Sequence, residues 1–165
     1  MSDARLVVRT ATDAELDLAG EITLAAYTHD GFLEADHEYA MSLLDGRGRS
    51  GRAELLVATY DDELVGTVTF CPPGSDLREL AVDGEGEFRM LAVVSTARGL
   101  GVGRALVAAC FARCTELGLG QLVLCSMVAM TTAHRLYAAF GFVRDPDLDF
   151  EPVPGVLLWA FRAAV

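Results

Sequence analysis

The chain has no lysine; all 13 of its basic residues are arginines. That absence removes one nucleotide-binding reading at once, because a P-loop ends in G-K-S/T and its lysine reaches the terminal phosphates. The four cysteines, Cys71, Cys110, Cys114 and Cys125, form no C-x-x-C pair. Cys110 and Cys114 stand one helical turn apart, but no histidine or cysteine pair nearby completes a metal site. They read as small core residues of a reducing compartment, and no metal is expected. His29, His37 and His134 are scattered, and His134, one turn before Tyr137, reads as an exposed helix residue. No apolar run is long enough to span a bilayer; the longest, Ala105 to Ala112, lies between Arg104 and Arg113. Met1 to Thr10 carries Asp3, Arg5 and Arg9 where a signal peptide would be apolar. No membrane partner and a cytoplasmic location are therefore expected. There is no internal repeat and no low-complexity segment.

Positive charge is scarce in one half. Residues 1–86 hold 18 acids against 6 arginines, residues 87–165 hold 6 acids against 7 arginines, and the net charge is -11. Nucleic acid is disfavoured as a partner, since phosphate binding needs a basic face. The acidic half would suit a cationic partner or serve solubility alone.

What is present is material for a core. The 165 residues are 52% hydrophobic, and a domain of this length buries roughly 70% of its unfolded surface. A single domain over residues 1–165 is expected. Arg5–Thr10 alternates weakly, as a first strand does. Thr12 with Glu15 fits a capping box for a helix whose signal stops near His29-Asp30-Gly31. A short helix is expected over Asp36–Leu44, then an exposed loop where Gly46, Gly48 and Gly51 interleave with Arg47, Arg49 and Arg52. Glu54–Tyr60 and Leu64–Phe70 read as a hairpin turning at Asp61-Asp62 and ended by Pro72-Pro73-Gly74. Glu87–Val94 is a further strand and Gly101–Leu117 a helix stopped by Gly118. Strand Gln121–Ser126, a helix from Thr131 or Thr132 to Phe140, the acidic loop Asp145–Gly155 and strand Val156–Phe161 complete the chain. The expected class is α/β with one mixed sheet, in the order β-α-α-β-β-β-α-β-α-β.

The chemistry concentrates in Glu87 to Val107, EFRMLAVVSTARGLGVGRALV. An apolar strand runs through a loop with Arg98, Gly99, Gly101 and Gly103 into a helix. Glycines let backbone N–H groups approach a ligand, and a helix N-terminus favours an anion. Arg98 and Arg104 add positive charge. The arrangement reads as a pyrophosphate cradle. It is not a dinucleotide fingerprint, because position 104 is arginine where G-x-G-x-x-G needs its third glycine.

With these residues in view, the sequence resembles the GNAT superfamily of acetyl-CoA-dependent N-acetyltransferases. The family signature R/Q-x-x-G-x-G/A is met by Arg98-Gly99-Leu100-Gly101-Val102-Gly103. Leu91-Ala92-Val93 matches the strand before it. Leu136-Tyr137 and Gly141-Phe142 match the L-Y-x-x-x-G-F ending after it. The resemblance implies acetyl-CoA as co-substrate, with the backbone of Leu91, Ala92 and Val93 on its pantetheine arm. It implies the N–H groups of the 99–104 loop on the pyrophosphate. Tyr137 falls where many members place the acid that protonates the departing thiolate, and Glu87 where some place the base. A strand splayed by a bulge is implied too. Met130 stands where many members have asparagine, and Ser95 where many have proline.

Transfer of an acetyl group from acetyl-CoA to an amine by direct attack is the expected activity. A carboxylate should take the amine's proton and a tyrosine hydroxyl supply the thiolate's, each worth roughly 10²–10⁴-fold. Tyr27 and Phe32, after the first helix, are candidates to stack on the acceptor, and Asp30 to meet a cation. Asp147, Asp149 and Glu151 alternate along the late loop, as a solvated face or an attractor of amines. Small amines, aminoglycoside-like compounds, amino acids and protein N-termini stay open as acceptors, as does a longer acyl donor. A homodimer stays open. The alternatives are a CoA-binding or sensor module of the same fold without catalysis, and a purely structural domain that binds no CoA.

Overall fold

The computed structural model describes residues 5–34 and 37–165. Eight strands form one sheet: β1 (Leu6–Thr10), β2 (Glu54–Tyr60), β3 (Glu63–Cys71), β4 (Glu85–Val93), β5 (Gln121–Met127), β6 (Val143–Arg144), β7 (Phe150–Val153) and β8 (Val156–Ala164). Among the described residues five α-helices flank it: α1 (Leu16–His29), α2 (Ala40–Leu44), α3 (Gly46–Arg52), α4 (Val102–Glu116) and α5 (Thr131–Ala139). The strands lie in the order β1-β2-β3-β4-β5-β8-β6, with β7 also paired to β8. Among the described residues only β4 and β5 pair in parallel, since α4 carries the chain back between them. The mixed α/β class expected from the sequence is the class observed.

The hydrophobic pattern explains the layers. Leu55 and Val57 of β2 point to one face and pack with Leu16 and Ala19 of α1. Leu56 and Ala58 point to the other and join Leu106, Val107, Cys110 and Cys114 of α4. Cys110 and Cys114 are fully buried, as small core residues should be. The β2–β3 hairpin turns at Asp61 and Asp62, both at positive φ (50° and 69°), a type I′ geometry matched to strand twist.

Four features depart from the sequence expectation. The segment read as an exposed glycine–arginine loop is helix α3, with Arg49 buried inside it. Gly46 of α3 and Gly20 of α1 serve packing. A Cβ on Gly46 would lie 2.1 Å from the Leu16 carbonyl, and one on Gly20 1.9 Å from the Leu44 carbonyl, so α1 and the α2–α3 junction touch backbone to backbone. Asp45 caps α3 by accepting from the Gly48 N–H at 2.9 Å. The helix expected over Asp36–Leu44 begins at Ala40; Asp36 lies outside the described residues. The late acidic loop holds a short strand, β7, with β6 just before it, and Asp149 pairs with Arg144 and accepts the Ala160 N–H instead of facing solvent. His134 is half-buried, stacked on Trp159 at 5.8 Å, with Nε2 3.0 Å from Ser126 Oγ. Among the described residues no helix is long and apolar enough to cross a membrane.

Candidate active site

The site begins with a fault in the sheet. Thr67 pairs with Ala92 and Thr69 with Arg89, so Val68 faces two residues, Met90 and Leu91. Met90 absorbs the extra residue at φ 56°, which marks a β-bulge. On its other side β4 meets β5 only at Glu85–Gln121, Gly86–Leu122 and Glu87–Val123. Beyond Glu87 the two strands part. The β5-facing edge of β4 then carries unpaired backbone groups, an edge onto which an extended ligand can add.

An outer cleft of about 620 Å³ opens at this fork, lined by Leu91, Ala92 and Val93. Its floor is the loop into α4. Gly99 (φ 81°) and Gly101 (φ 83°) sit in the left-handed region, which excludes side chains by conformation, since a Cβ at either would meet open space. Gly101 is the N-cap of α4 and no side chain caps that end. The first-turn N–H groups of Val102, Gly103 and Arg104 have no partner within the helix, and these residues line the cleft. The start of α5, Thr131 to Ala133, lines it from the opposite wall. Two helix N-termini therefore face one cleft, a field suited to an anion. Arg104 lines it too, its guanidinium 5.5 Å from the Phe140 ring centroid. Leu100 is exposed, and its N–H goes to the Ala97 carbonyl.

Arg98 and Asp30 meet each other. The guanidinium grips both carboxylate oxygens at 2.7 Å. This hydrogen bonding holds the Asp30 carboxyl below its ordinary range and raises Arg98. The sequence offers Asp30 as a candidate to meet a cation; the cation it meets is Arg98, which ties the end of α1 to the glycine loop. Phe32 lines the cleft, and Tyr27 stands where the cleft meets a second cavity.

That inner chamber, about 130 Å³, lies at the fork between β4 and β5 and shares Tyr27, Leu91, Met130 and Ala133 with the cleft. Tyr137 lines it, one turn after Ala133 on α5. Its ring is wedged between Phe88 at 5.8 Å, Phe142 at 5.8 Å and Phe161 at 6.0 Å. Burial pushes its phenol well above the ordinary value, so the hydroxyl stays protonated. The β7–β8 hairpin covers the chamber with Pro152, Val153, Val156 and Leu158. Glu87 lines neither cavity. It is fully buried, and its carboxylate accepts the backbone N–H groups of Glu79 (2.9 Å), Leu80 (2.8 Å) and Ala81 (2.9 Å). Burial raises its carboxyl against the pull of those three donors.

The model of the acetyltransferase (GNAT) family matches residues 19–142. The chain belongs to the GNAT acetyltransferase family. Mycothiol acetyltransferase of Cellulomonas flavigena is 36% identical over 105 residues, which make up 62% of this chain and 30% of that protein. The chain therefore matches under a third of that relative's length. A ribosomal-protein-alanine N-acetyltransferase from Brucella melitensis superposes with a TM-score of 0.68 at 21% identity, covering 96% of this chain and 99% of that one. A Salmonella typhimurium protein solved with its cofactor acetyl-CoA superposes with a TM-score of 0.69 at 20% identity, covering 97% and 94%. At these identities the structural likeness is one of fold.

Within the GNAT frame, several residues of the inner chamber carry no motif. Glu79 and Arg89 face it, with Arg89 Nη2 3.4 Å from Glu79 Oε1. Arg89 also donates to the Leu77 carbonyl (3.1 Å) and the Tyr39 hydroxyl (3.3 Å). The alternation of β4 places Arg89 on the same face as Glu87, which is the one signal that could have found it.

Proposed function

We propose that this chain is an N-acetyltransferase that moves an acetyl group from acetyl-CoA onto a small amine by direct attack. The observation that supports it is the meeting of two cavities at the β4–β5 fork, one suited to an anion and a pantetheine-like arm, the other smaller and holding a protonated tyrosine. The glycine loop fits a pyrophosphate, because two positive-φ glycines lead into a bare helix N-terminus whose Val102, Gly103 and Arg104 N–H groups have no partner within the helix. Acetyl-CoA bound there supplies an activated thioester.

The chain's own residues do the rest. Leu91 to Val93 offer backbone groups to the arm, and Tyr27 and Leu91 line the passage where the amine meets the acyl group. The Tyr137 hydroxyl gives its proton to the leaving sulfur. The cysteines support direct transfer over a covalent route: burial pushes Cys125 and Cys71 up to about 12, so both are thiols at neutral pH and poor nucleophiles. The small chamber volume and its apolar hairpin cover favour a compact acceptor.

A screen of primary amines with thiol release from acetyl-CoA as readout tests the proposal. Release with at least one small amine is expected. Acetyl-CoA binding with no release across the panel would instead favour a non-catalytic CoA-binding module. The cradle is tested separately by Gly101→Val. Valine at φ 83° is strained and turns the first amides of α4 away. The loss of one charge-assisted hydrogen bond, about 1.5–3 kcal/mol, should raise the CoA dissociation constant at least tenfold by calorimetry. Unchanged affinity in the folded variant would place the pyrophosphate elsewhere.

A further inference from the structure

We infer that Glu79 receives the proton of the attacking amine, and that Glu87 is the positioning residue that holds Glu79 at the chamber. The inference rests on the acetyl-transfer reading above.

Few carboxylates can reach the fork. Among the described residues, Asp30 is the one acid lining the cleft and Glu79 the one lining the chamber. Asp30 has both oxygens on Arg98. Glu87 has its oxygens on three backbone N–H groups and no exposed surface. His37 also lines the chamber, but its Nδ1 accepts the Tyr39 N–H at 3.1 Å, which leaves Nε2 carrying the proton and no free lone pair. Glu79 is differently placed. Its side chain is 36% exposed, and its contact with Arg89, at 3.4 Å, is long for a charge-assisted bond. It is oriented without being saturated.

Arg52 fixes the first part of the 72–84 loop through Asp76 and Ser75, and Glu87 fixes its middle, Glu79 to Ala81. A carboxylate accepting three consecutive amides makes a rigid clasp, and Glu79 supplies the first of those amides. The clasp sets the backbone of Glu79, and Arg89 sets its side chain. Arg89 from β4 is the fixed charge facing Glu79. Tyr39 and His37 before α2, Tyr27 of α1, Cys125 of β5 and Tyr137 of α5 are the titratable groups sharing its surroundings.

The step balances. The protonated amine first gives one proton to the Glu79 carboxylate, directly or through one water, and the neutral nitrogen then bonds to the acyl carbon and sheds a second N–H proton to solvent. The carbon–sulfur bond breaks with its electron pair on sulfur, and the thiolate takes the Tyr137 proton. Glu79 then loses its proton to solvent and Tyr137 regains one.

The test compares an alkylamine that the wild-type chain acetylates with its O-alkylhydroxylamine isostere, which is already neutral in neutral buffer. Glu79→Gln should lower kcat/KM for the alkylamine by about 10²-fold. The loss for the isostere should stay under about tenfold, with acetyl-CoA affinity unchanged. Glu87→Gln, which turns a donor toward the clasped amides, should show the same selectivity for the alkylamine. The double variant should be no worse than Glu79→Gln alone, because the two residues act as one unit. Equal loss for both amines, or full alkylamine activity in Glu79→Gln, overturns the assignment of Glu79. Additive losses, or a Glu87→Gln chain that does not fold, overturn the positioning role. If the wild type releases thiol with no amine, the acetyl-transfer reading falls first and this assignment with it.

Discussion

Replacing Tyr137 by phenylalanine should lower kcat and kcat/KM together by about 10²–10⁴-fold, the usual worth of a general acid. Acetyl-CoA affinity and stability should hardly change. The ring keeps its three aromatic neighbours, Phe88, Phe142 and Phe161, and only an oxygen at the chamber wall is removed. An interaction made only as the thiolate departs appears equally in both kinetic constants. The pH profile gives a second reading of the same group. Burial raises the phenol above its ordinary 10.0, so the acid form persists past that value. Activity should therefore show no alkaline fall assignable to Tyr137 below about pH 10. Single-turnover mixing of acetyl-CoA-loaded chain with the best amine isolates the chemical step. A Tyr137→Phe chain with wild-type single-turnover rates would leave Tyr137 as packing and the thiolate to be protonated by water.

The parts of this molecule that were legible in its sequence are those where local pattern and tertiary role agree. Strand β2 is continuous apolar residues between two polar ends, and α4 repeats Leu106, Cys110 and Cys114 along one face; both stand where the pattern puts them. The glycine loop was legible because its glycines follow a strand and open a helix. Three things were not legible. Helix α3 was hidden because glycine weakens helices by about 1 kcal/mol per residue, and here Gly46 is required by contact with α1. The Arg98–Asp30 grip joins residues 68 apart in the chain, and no local spacing announces it. The chamber wall formed by Glu79, Arg89 and Tyr39 depends on how the 72–84 loop folds back over β4, and that is decided by the three amides gathered on Glu87. The same distance effect changes the meaning of Glu87 itself. Its place four residues before Leu91 suggested a base, whereas burial makes it the anchor of a loop.

Arg49 shows what such hidden contacts are worth, and Arg49→Met should cost about 2–4 kcal/mol of stability. The side chain is buried, and burial lowers its basicity. It has no carboxylate partner among the described residues. Its donors reach the Leu43 carbonyl at 2.7 Å, the Ser42 carbonyl, Thr69 Oγ1 at 3.1 Å and Thr23 Oγ1 at 3.3 Å. Those two carbonyls lie at the C-terminal end of α2, where the helix leaves acceptors unpaired and its dipole is negative. Methionine fills much of the volume but leaves the buried Leu43 carbonyl and the part-buried Ser42 carbonyl without this donor, at about 1–3 kcal/mol for a buried one. The desolvation of the guanidinium is relieved at the same time, which offsets part of the loss. For a chain of this length each 1 kcal/mol moves Tm by about 2–4 °C, so a fall of roughly 4–16 °C is expected. Function should register it as well. Arg49 ties α1, α2 and β3 together, and Tyr27 and Tyr39 reach the chamber from that assembly. KM for the amine should rise while acetyl-CoA affinity, set on the other side of the fork by the α4 loop, stays near wild type. An Arg49→Met chain with unchanged urea midpoint and unchanged KM would mean that water replaces the guanidinium at the end of α2, and that this buried charge holds neither the fold nor the acceptor wall.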